Sequence, residues 1–340
     1  MKILSLFDGT SAGRLAAERA GIKVDKYYAS EIDKYAIAVS KKNYPDIIQL
    51  GGVENYQDWD LDFGEIDLLL GGSPCQGFSV AGKQLNFEDP RSKLFFEYVA
   101  ILKKIREKNP NVLFLLENVK MKKEFQDVIS RHLGVEPVEI NSALVSAQNR
   151  KRLYWTNIPA IDQPDDKGIL LKDIVHENTD SDFPVSRYVV PQTKTLKIIE
   201  KEVEKGKAGY LGTDSQSRRV YYIHGKSVTL CGQGGGGGAQ TGLYLFGCIT
   251  PNKIEKRQNG RRFNEGDKSY TLTAQDRHGV LTSGYIRKLT PVECERLQTL
   301  PDNYTKGEVG GKEISDNQRY KMLGNGWTVD VIAHILKNVS

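Results

Sequence analysis

In the first part of the chain, apolar residues gather in short runs that each break at a glycine or an acidic residue. Lys2 to Phe7 is such a run, ending in Asp8-Gly9-Thr10-Ser11-Ala12-Gly13, after which Leu15, Ala16, Ala17 and Ala20 recur at helical spacing. Lys26-Tyr27-Tyr28-Ala29-Ser30 ends at Glu31, and a third run ends at Gly51-Gly52-Val53. Ile66 to Leu70 leads into Gly71-Gly72-Ser73-Pro74-Cys75, and Asn111 to Leu116 into Glu117-Asn118-Val119. Continuous apolar runs belong to strands covered on both faces, so the pattern predicts an α/β fold with a mostly parallel, Rossmann-like sheet. Loops beyond the carboxyl ends of such strands share one crevice, where ligands bind. That crevice would hold a glycine turn, the Glu31 carboxylate, the Cys75 thiol and the Glu117 carboxylate.

From about Asp165 to Gly310 the pattern changes to one rich in Gly, Thr and β-branched residues, which predicts a smaller β-rich domain. A short charged helix is expected over Lys194 to Lys205. Within the β-rich region, Lys226-Ser227-Val228-Thr229-Leu230 and Lys268-Ser269-Tyr270-Thr271-Leu272 repeat one pattern, each some way after an arginine pair, Arg218-Arg219 and Arg261-Arg262. Either copy, or both, would be a recognition element; two similar hairpins are the plainer alternative.

Composition narrows the class. The chain has 340 residues, 39% of them hydrophobic and 27% charged, as in a globular protein with a sizeable core. No apolar run approaches the ~20 residues of a membrane span, and Met1 to Phe7 is too short for a signal peptide, so a cytoplasmic location is expected. The net charge of +5 suits a polyanionic partner without demanding one. Cys75, Cys231, Cys248 and Cys294 lie far apart with no Cys-x-x-Cys pair, so the spacing indicates neither a metal site nor a disulfide framework.

Two segments carry candidate chemistry. The turn after the first strand lacks a complete G-x-G-x-x-G and a Lys-Ser/Thr phosphate cradle, which favours an adenosine ligand without pyrophosphate. Glu31 stands where such folds hold ribose hydroxyls. Cys75, on a Gly-Ser-Pro turn, could be a nucleophile, a metal ligand, a disulfide partner or a core residue. Glycines that let a backbone approach a ligand, with a proline to fix the turn, favour the nucleophile.

Taken together, the segments resemble those of the cytosine-5 DNA methyltransferases. Phe7-Asp8-Gly9 through Gly13 is similar to the family's S-adenosylmethionine turn, Gly72-Ser73-Pro74-Cys75-Gln76 to its nucleophile motif and Glu117-Asn118-Val119 to its acid motif. Gln148-Asn149-Arg150-Lys151-Arg152 resembles its Gln-x-Arg-x-Arg segment. Arg287-Lys288-Leu289-Thr290-Pro291 with Glu293, Arg296 and Gln298, and then Gln318 to Gly326, resemble its last two blocks. The matches keep the family's order from residue 7 to residue 326. Gln318 to Gly326 and a terminal helix from Val329 to Leu336 resemble the family's closing segment, which returns to the first unit; that resemblance implies domains 1–176 with 314–340, and 177–313. Gly82-Lys83-Gln84 to Asp89, with Arg91 and Leu94-Phe95-Phe96, is similar to its mobile active-site loop, so Val80 to Phe96 is expected to act as a flap.

The resemblance implies methyl transfer from S-adenosylmethionine, leaving S-adenosyl-L-homocysteine, to C5 of a cytosine rotated out of duplex DNA. It assigns catalysis to Cys75 as the thiolate that adds to C6, Glu117 at N3, and Arg152, with Arg150 as a second choice, at O2. It assigns cofactor contacts to Phe7, Asp8, Gly9, Thr10, Ser11, Gly13, Glu31, Ile32, Gly52, Val53, Gly72, Pro74, Leu94, Asn325, Gly326 and Trp327. DNA contacts fall to Gln76, Ser79, Lys83, Arg91, Gln216, Arg219, Thr229 and Thr271. Gln216-Ser217-Arg218-Arg219 with Thr229-Leu230 is similar to the recognition segment of bacterial enzymes that modify GCGC, where Gln216 would fill the gap left by the flipped base and Arg219 would read a guanine. No metal is implied. The implied working form is a monomer in a bacterial cytosol or phage-infected host, with any cognate restriction endonuclease acting separately.

Two departures stand out. Gly52 occupies a position where the family often has an aspartate for the adenine amino group, and Trp327 replaces an aliphatic residue, as in the animal de novo methyltransferases. Two other classes stay open at this point: an RNA cytosine-5 methyltransferase, and a catalytically silent DNA-binding relative.

Overall fold

The structure is a computed structural model. It describes residues 1–73, 90–175 and 289–339, and short stretches at 196–198, 207–211, 219–222, 226–227, 229–230, 243–246 and 285–287. Side chains are described from residue 93 in the second long stretch and at Val220 and Tyr221 among the short strands.

Strands β1 (Lys2–Leu6), β2 (Lys26–Ser30), β3 (Ile48–Gln49), β4 (Leu68–Gly71), β5 (Leu113–Val119), β6 (Val138–Asn141) and β7 (Lys151–Thr156) form one sheet in the order β3-β2-β1-β4-β5-β7-β6. β1 to β5 are mutually parallel. β7 alone runs antiparallel to both its neighbours. Its first residues therefore lie beside the carboxyl end of β5, which carries the Gln-x-Arg-x-Arg segment to the crevice.

The alternation along β1 shows how the layers are built. Ile3 faces a core with helix α1 (Ala12–Arg19), helix α2 (Lys34–Asn43) and the terminal helix, while Leu4 and Leu6 face the opposite core with α3 (Pro90–Lys108) and α4 (Lys123–Leu133). Alanines at 12, 16 and 17 let α1 pack closely on the sheet, and all three are buried. α3 sets Phe95, Tyr98, Ile101, Leu102 and Ile105 against the second core. This corrects the expected flap: residues 80–89 lie outside the described residues, but Pro90 opens a helix, where its fixed φ and missing N–H are tolerated, and Leu94 to Phe96 belong to that helix.

The second sheet orders β8 (Leu196–Ile198), β9 (Lys207–Leu211), β10 (Arg219–Tyr222), β11 (Leu243–Phe246) and β12 (Tyr285–Arg287) as β12-β11-β10-β9-β8. Residues 196–198 are thus a strand, where charge spacing had predicted a helix. Pairing with β9 overrides the weak local preference of so short a segment.

The expected boundary at residue 313 also moves. Leu289, Cys294, Leu297, Leu300 and Tyr304 share one core with Ile3, Ala16 and Val331, so the chain rejoins the large unit by Leu289. Helix α5 (Pro291–Leu297) explains the Leu-Thr-Pro-x-Glu pattern. Thr290 caps it, Pro291 takes the first turn, and the Thr290 N–H donates to the Glu293 carboxylate at 2.7 Å. A short hairpin of β13 (Glu308–Val309) and β14 (Lys312–Glu313) leads to α6 (Asp316–Asn325) and α7 (Val329–Leu336). α7 lies against α1, with Arg19 Nη1 2.7 Å from Asp330 Oδ1.

A buried ion pair holds this return. Glu295, 0% exposed, takes hydrogen bonds from the Asn303 and Thr305 N–H groups and from Arg319 Nη2 at 2.8 Å. Glu295→Ala would leave the Arg319 guanidinium buried without its carboxylate, and is expected to lower unfolding free energy by about 3–5 kcal/mol in urea titrations. A loss below about 1 kcal/mol, the range of exposed pairs, would contradict this placement.

Candidate active site

The turn from Phe7 to Ser11 takes a contorted path. Phe7, Gly9 and Ser11 all have left-handed φ, at 55°, 61° and 62°. Such geometry is costly for the non-glycine residues and persists only where surrounding contacts over-determine it. Those contacts are present. Asp8 accepts from Tyr27 Oη at 2.7 Å and from Ser11 Oγ at 2.5 Å, and Tyr304 Oη donates to Thr10 O at 2.8 Å. Burial pushes the Asp8 carboxyl above its usual range, against the pull of its hydrogen bond from Ser11. The side chain of Asp8 thus faces inward and locks the turn. Thr10 and Ser11 are buried, and Phe7 packs against the second core.

Glu31 bridges the ends of β1 and β2. One oxygen accepts from the Gly9 N–H at 2.8 Å, and the other accepts from the N–H groups of Ile32 and Asp33. Ile32 beside it is 76% exposed. A Cβ built on Gly9 or Gly51 would meet nothing within 4 Å, so the space over these turns is open. Val53 is buried beneath it. At Gly52 a Cβ would lie 2.9 Å from Glu54 Oε2 and 3.4 Å from Ile32 Cγ2. A carboxylate therefore reaches the place of the missing aspartate side chain, from two residues further along.

At the next strand ends, Asn118 Nδ2 donates to Ser73 Oγ at 3.3 Å, tying the acid motif to the start of the cysteine loop. Pro74 and Cys75 themselves lie outside the described residues, as do Gln76, Ser79, Lys83, Gln216 and Thr271. Arg91 is placed in α3 and Arg219 in β10, without their side chains. Leu94, on α3, packs partly buried against the second core.

Glu117 and Arg152 meet across the β5–β7 pair. Glu117 is opposite Tyr154 and Val119 opposite Arg152, so acid and arginine are diagonal neighbours on one face of the sheet. Arg152 Nε lies 2.9 Å from Glu117 Oε1, with side chains 12% and 11% exposed. Below them, burial raises the Tyr154 phenol well above its ordinary range, and the Glu117 carboxylate adds to this.

Arg150 behaves differently from Arg152. It is 3% exposed, donating through Nη1 to Leu230 O at 3.1 Å and through Nη2 to Gly324 O and Gly326 O at 3.2 and 3.0 Å. Its guanidinium is committed to backbone carbonyls, which corrects the expectation that it shares the task of Arg152. Their positions account for the difference: Arg150 precedes β7 and reaches the carbonyls of Gly324 and Gly326, while Arg152 stands within β7 opposite Val119. Thr229 Oγ1 donates to Asn149 O at 2.7 Å. The resemblance assigns Thr229 to the DNA contacts, and a hydroxyl that donates here keeps its acceptor lone pairs.

Trp327 closes the crevice. A Cβ on Gly72 would lie 2.8 Å from its Nε1 and 3.3 Å from Glu117 Oε2, and one on Gly13 would lie 3.3 Å from its Cζ3. The indole thus spans the glycine turn and the acid. Asn325 is exposed just before it, and Gly326 O is held by Arg150 and by Gln298 Nε2. Sequence reasoning did not single out Glu54, Tyr304 or Tyr27. Tyr27 and Tyr304 bond partners 19 and 294 residues away, a separation that leaves no local signal, and Glu54 belongs to no motif.

This geometry fits what related sequences show. The family model for the C-5 cytosine-specific DNA methylase matches residues 1–133 and 140–340. The chain belongs to that family. The orphan methyltransferase M.SPRI of Bacillus phage SPR is 30% identical to it over 443 aligned positions, covering 100% of this chain and 97% of that protein. The type II methyltransferase M.HhaI of Haemophilus parahaemolyticus is 28% identical, covering 100% of this chain and 94% of the other. Among solved structures, the Entamoeba histolytica methyltransferase EhMeth aligns with a TM-score of 0.65 at 17% identity, over 100% of this chain and 97% of that one. A Spodoptera frugiperda DNMT2 mutant aligns with a TM-score of 0.60 at 21% identity, over 99% of each chain. At these identities the two structures speak for the fold alone.

As a C-5 cytosine methylase the chain uses S-adenosylmethionine, which supplies an electrophilic methyl group when bound. The crevice suits it: open space over Gly9, a carboxylate at the β2 end, and an exposed apolar wall at Ile32. Among the described residues no group of acidic, histidine or cysteine side chains could hold a metal ion. None of the described helices is long and apolar enough to cross a membrane.

Gly72→Ala should displace the methylase's indole. A Cβ at 2.8 Å from Trp327 Nε1 forces movement, and overpacking of about 1–3 kcal/mol borne by the cofactor-bound state corresponds to roughly a 5- to 150-fold loss of S-adenosylhomocysteine affinity by calorimetry. Adding Trp327→Phe should recover part of that loss. Wild-type affinity in the single variant would show that the indole does not border the cofactor.

Proposed function

We propose that the chain transfers a methyl group from S-adenosylmethionine to C5 of a cytosine turned out of a short duplex DNA site, as a DNA (cytosine-5-)-methyltransferase. The observation that carries this reading is the ion pair of Glu117 and Arg152 beside Gly72. Asn118 supports it by holding Ser73, from which the chain runs on to Cys75.

C5 of cytosine is a poor nucleophile. Addition of the Cys75 thiolate to C6 forms an S–C6 bond and pushes an electron pair toward C5, which takes the methyl group. The C5 proton then leaves to water, and the S–C6 bond breaks as the ring double bond returns. During addition, negative charge grows at N3 and O2. Glu117 is assigned to N3 and Arg152 to O2, where a guanidinium already fixed beside the acid needs little reorganisation. Arg150 is assigned a positioning role, holding Leu230, Gly324 and Gly326 around the pair. The cofactor's adenosine end is assigned to Glu31, Ile32, Gly52 and Val53, and its methyl-bearing end to the space between Gly9, Gly72 and Trp327.

A base stacked in a duplex hides C6, so the nucleotide must rotate out, and binding to the phosphates should weaken steeply with salt. The reading includes a monomer that acts on DNA by itself, any restriction endonuclease being a separate protein.

Trapping tests it. With cofactor present, 5-fluorocytosine blocks loss of the C5 substituent and should leave the enzyme covalently bound. A stable adduct is expected on duplex DNA, none on RNA of the same sequence, and none with Cys75→Ala. An adduct on RNA alone would make this an RNA enzyme, and full activity of Cys75→Ala would eliminate the mechanism.

A further inference from the structure

The first Lys-Ser-x-Thr-Leu copy is docked on the catalytic unit, and its lysine makes the most specific contact. Lys226 Nζ donates to three backbone carbonyls: Ala143 at 2.7 Å, Ser146 at 3.1 Å and Ile169 at 2.5 Å. An ammonium has three N–H donors, so its capacity matches this set. Ala143 lies in the short 3-10 turn Ser142–Leu144 and Ser146 just beyond it, where carbonyls at the end of a turn lack partners of their own.

The residues after Lys226 run beside the Gln-x-Arg-x-Arg segment. The Ser227 N–H donates to Ala147 O at 2.7 Å, the Asn149 N–H donates to Ser227 O at 3.0 Å, and the pairing is parallel. Thr229 then bonds Asn149 O, and Leu230 O receives Arg150. Two residues beyond Arg150 stands Arg152, paired with Glu117. Upstream, Lys226 follows β10 of the second sheet by four residues. Lys226 therefore joins the β-rich region to the strand that carries the arginine of the acid–arginine pair.

We infer that Lys226 is a positioning residue: its ammonium sets the register of Ser227–Leu230 against Ala147–Arg150 and so fixes the recognition region relative to Glu117 and Arg152. A one-residue slip of this parallel pairing would turn Thr229 and Leu230 away from their present partners. Burial draws the ammonium's pKa down, and Asp166 and Asp173 draw it back up, so the contact is a partly desolvated charge on fixed dipoles. No simple substitute reproduces it. Methionine matches the length but leaves the carbonyls unsatisfied, and arginine's planar fork does not fit a pyramidal set of acceptors.

The catalytic part of this inference rests on the methyl-transfer reading above, so the test separates the two. Lys226→Met and Lys226→Arg are compared with wild type for S-adenosylhomocysteine affinity, for hydrogen exchange at Ser227 and Asn149, and for the rate of adduct formation on 5-fluorocytosine duplex DNA. Expected are unchanged S-adenosylhomocysteine affinity, exchange at Ser227 and Asn149 faster by about tenfold or more, and adduct formation slower by roughly 100-fold in both variants. Unchanged exchange, or wild-type adduct rates, would overturn the positioning role. Loss of cofactor binding would also overturn it, since the lysine would then hold the whole unit and not one register. If wild type formed no adduct, the methyl-transfer reading would fall, while the exchange data would still decide the register.

Discussion

Antiparallel pairing of β7 with β5 is the constraint on which the site depends. In a wholly parallel sheet, the start of the next strand would lie at the far edge, a strand's length from Glu117. Reversing one strand brings Lys151 and Arg152 to the carboxyl ends, and the diagonal register sets Arg152 Nε 2.9 Å from Glu117 Oε1. The same strand start seats Arg150 under Gly324 and Gly326, and Asn149 against Ser227. Acid, arginine, C-terminal segment and recognition region are thus referred to one strand.

Much of this was legible in the sequence because the signals are local. Apolar runs ending in glycine or acid located β1, β2, β4 and β5, helical spacing located α1, and the resemblance located α7. The Thr-Pro-x-Glu pattern that marks the family's later block is a helix cap, a physical device readable from its own residues. The motif order pointed to the family that the matching model later established.

What was not legible depends on partners remote in sequence. Arg150 and Arg152 look alike in the chain, and only their partners, backbone carbonyls for one and a carboxylate for the other, separate a buried scaffold from a crevice residue. Residues 289–313 read as part of the β-rich region because their composition is mixed, yet α5 and the buried Glu295–Arg319 pair commit them to the main core. Glu54 is a local exception: it lies two residues from Gly52, but it is exposed and follows no motif. Lys226 was visible as one letter of a repeated pattern, but its carbonyl cage draws on residues 57 to 83 positions away.

Whether Glu117 and Arg152 act as one unit is tested most directly by a double-mutant cycle. Single-turnover methyl transfer to duplex DNA would be measured for wild type, Glu117→Gln, Arg152→Met and the combined variant. A shared role in holding the pyrimidine's growing charge predicts strong non-additivity, with the double variant about as slow as the slower single one. Losses that simply multiply would mean that the two residues act independently, and would contradict the account.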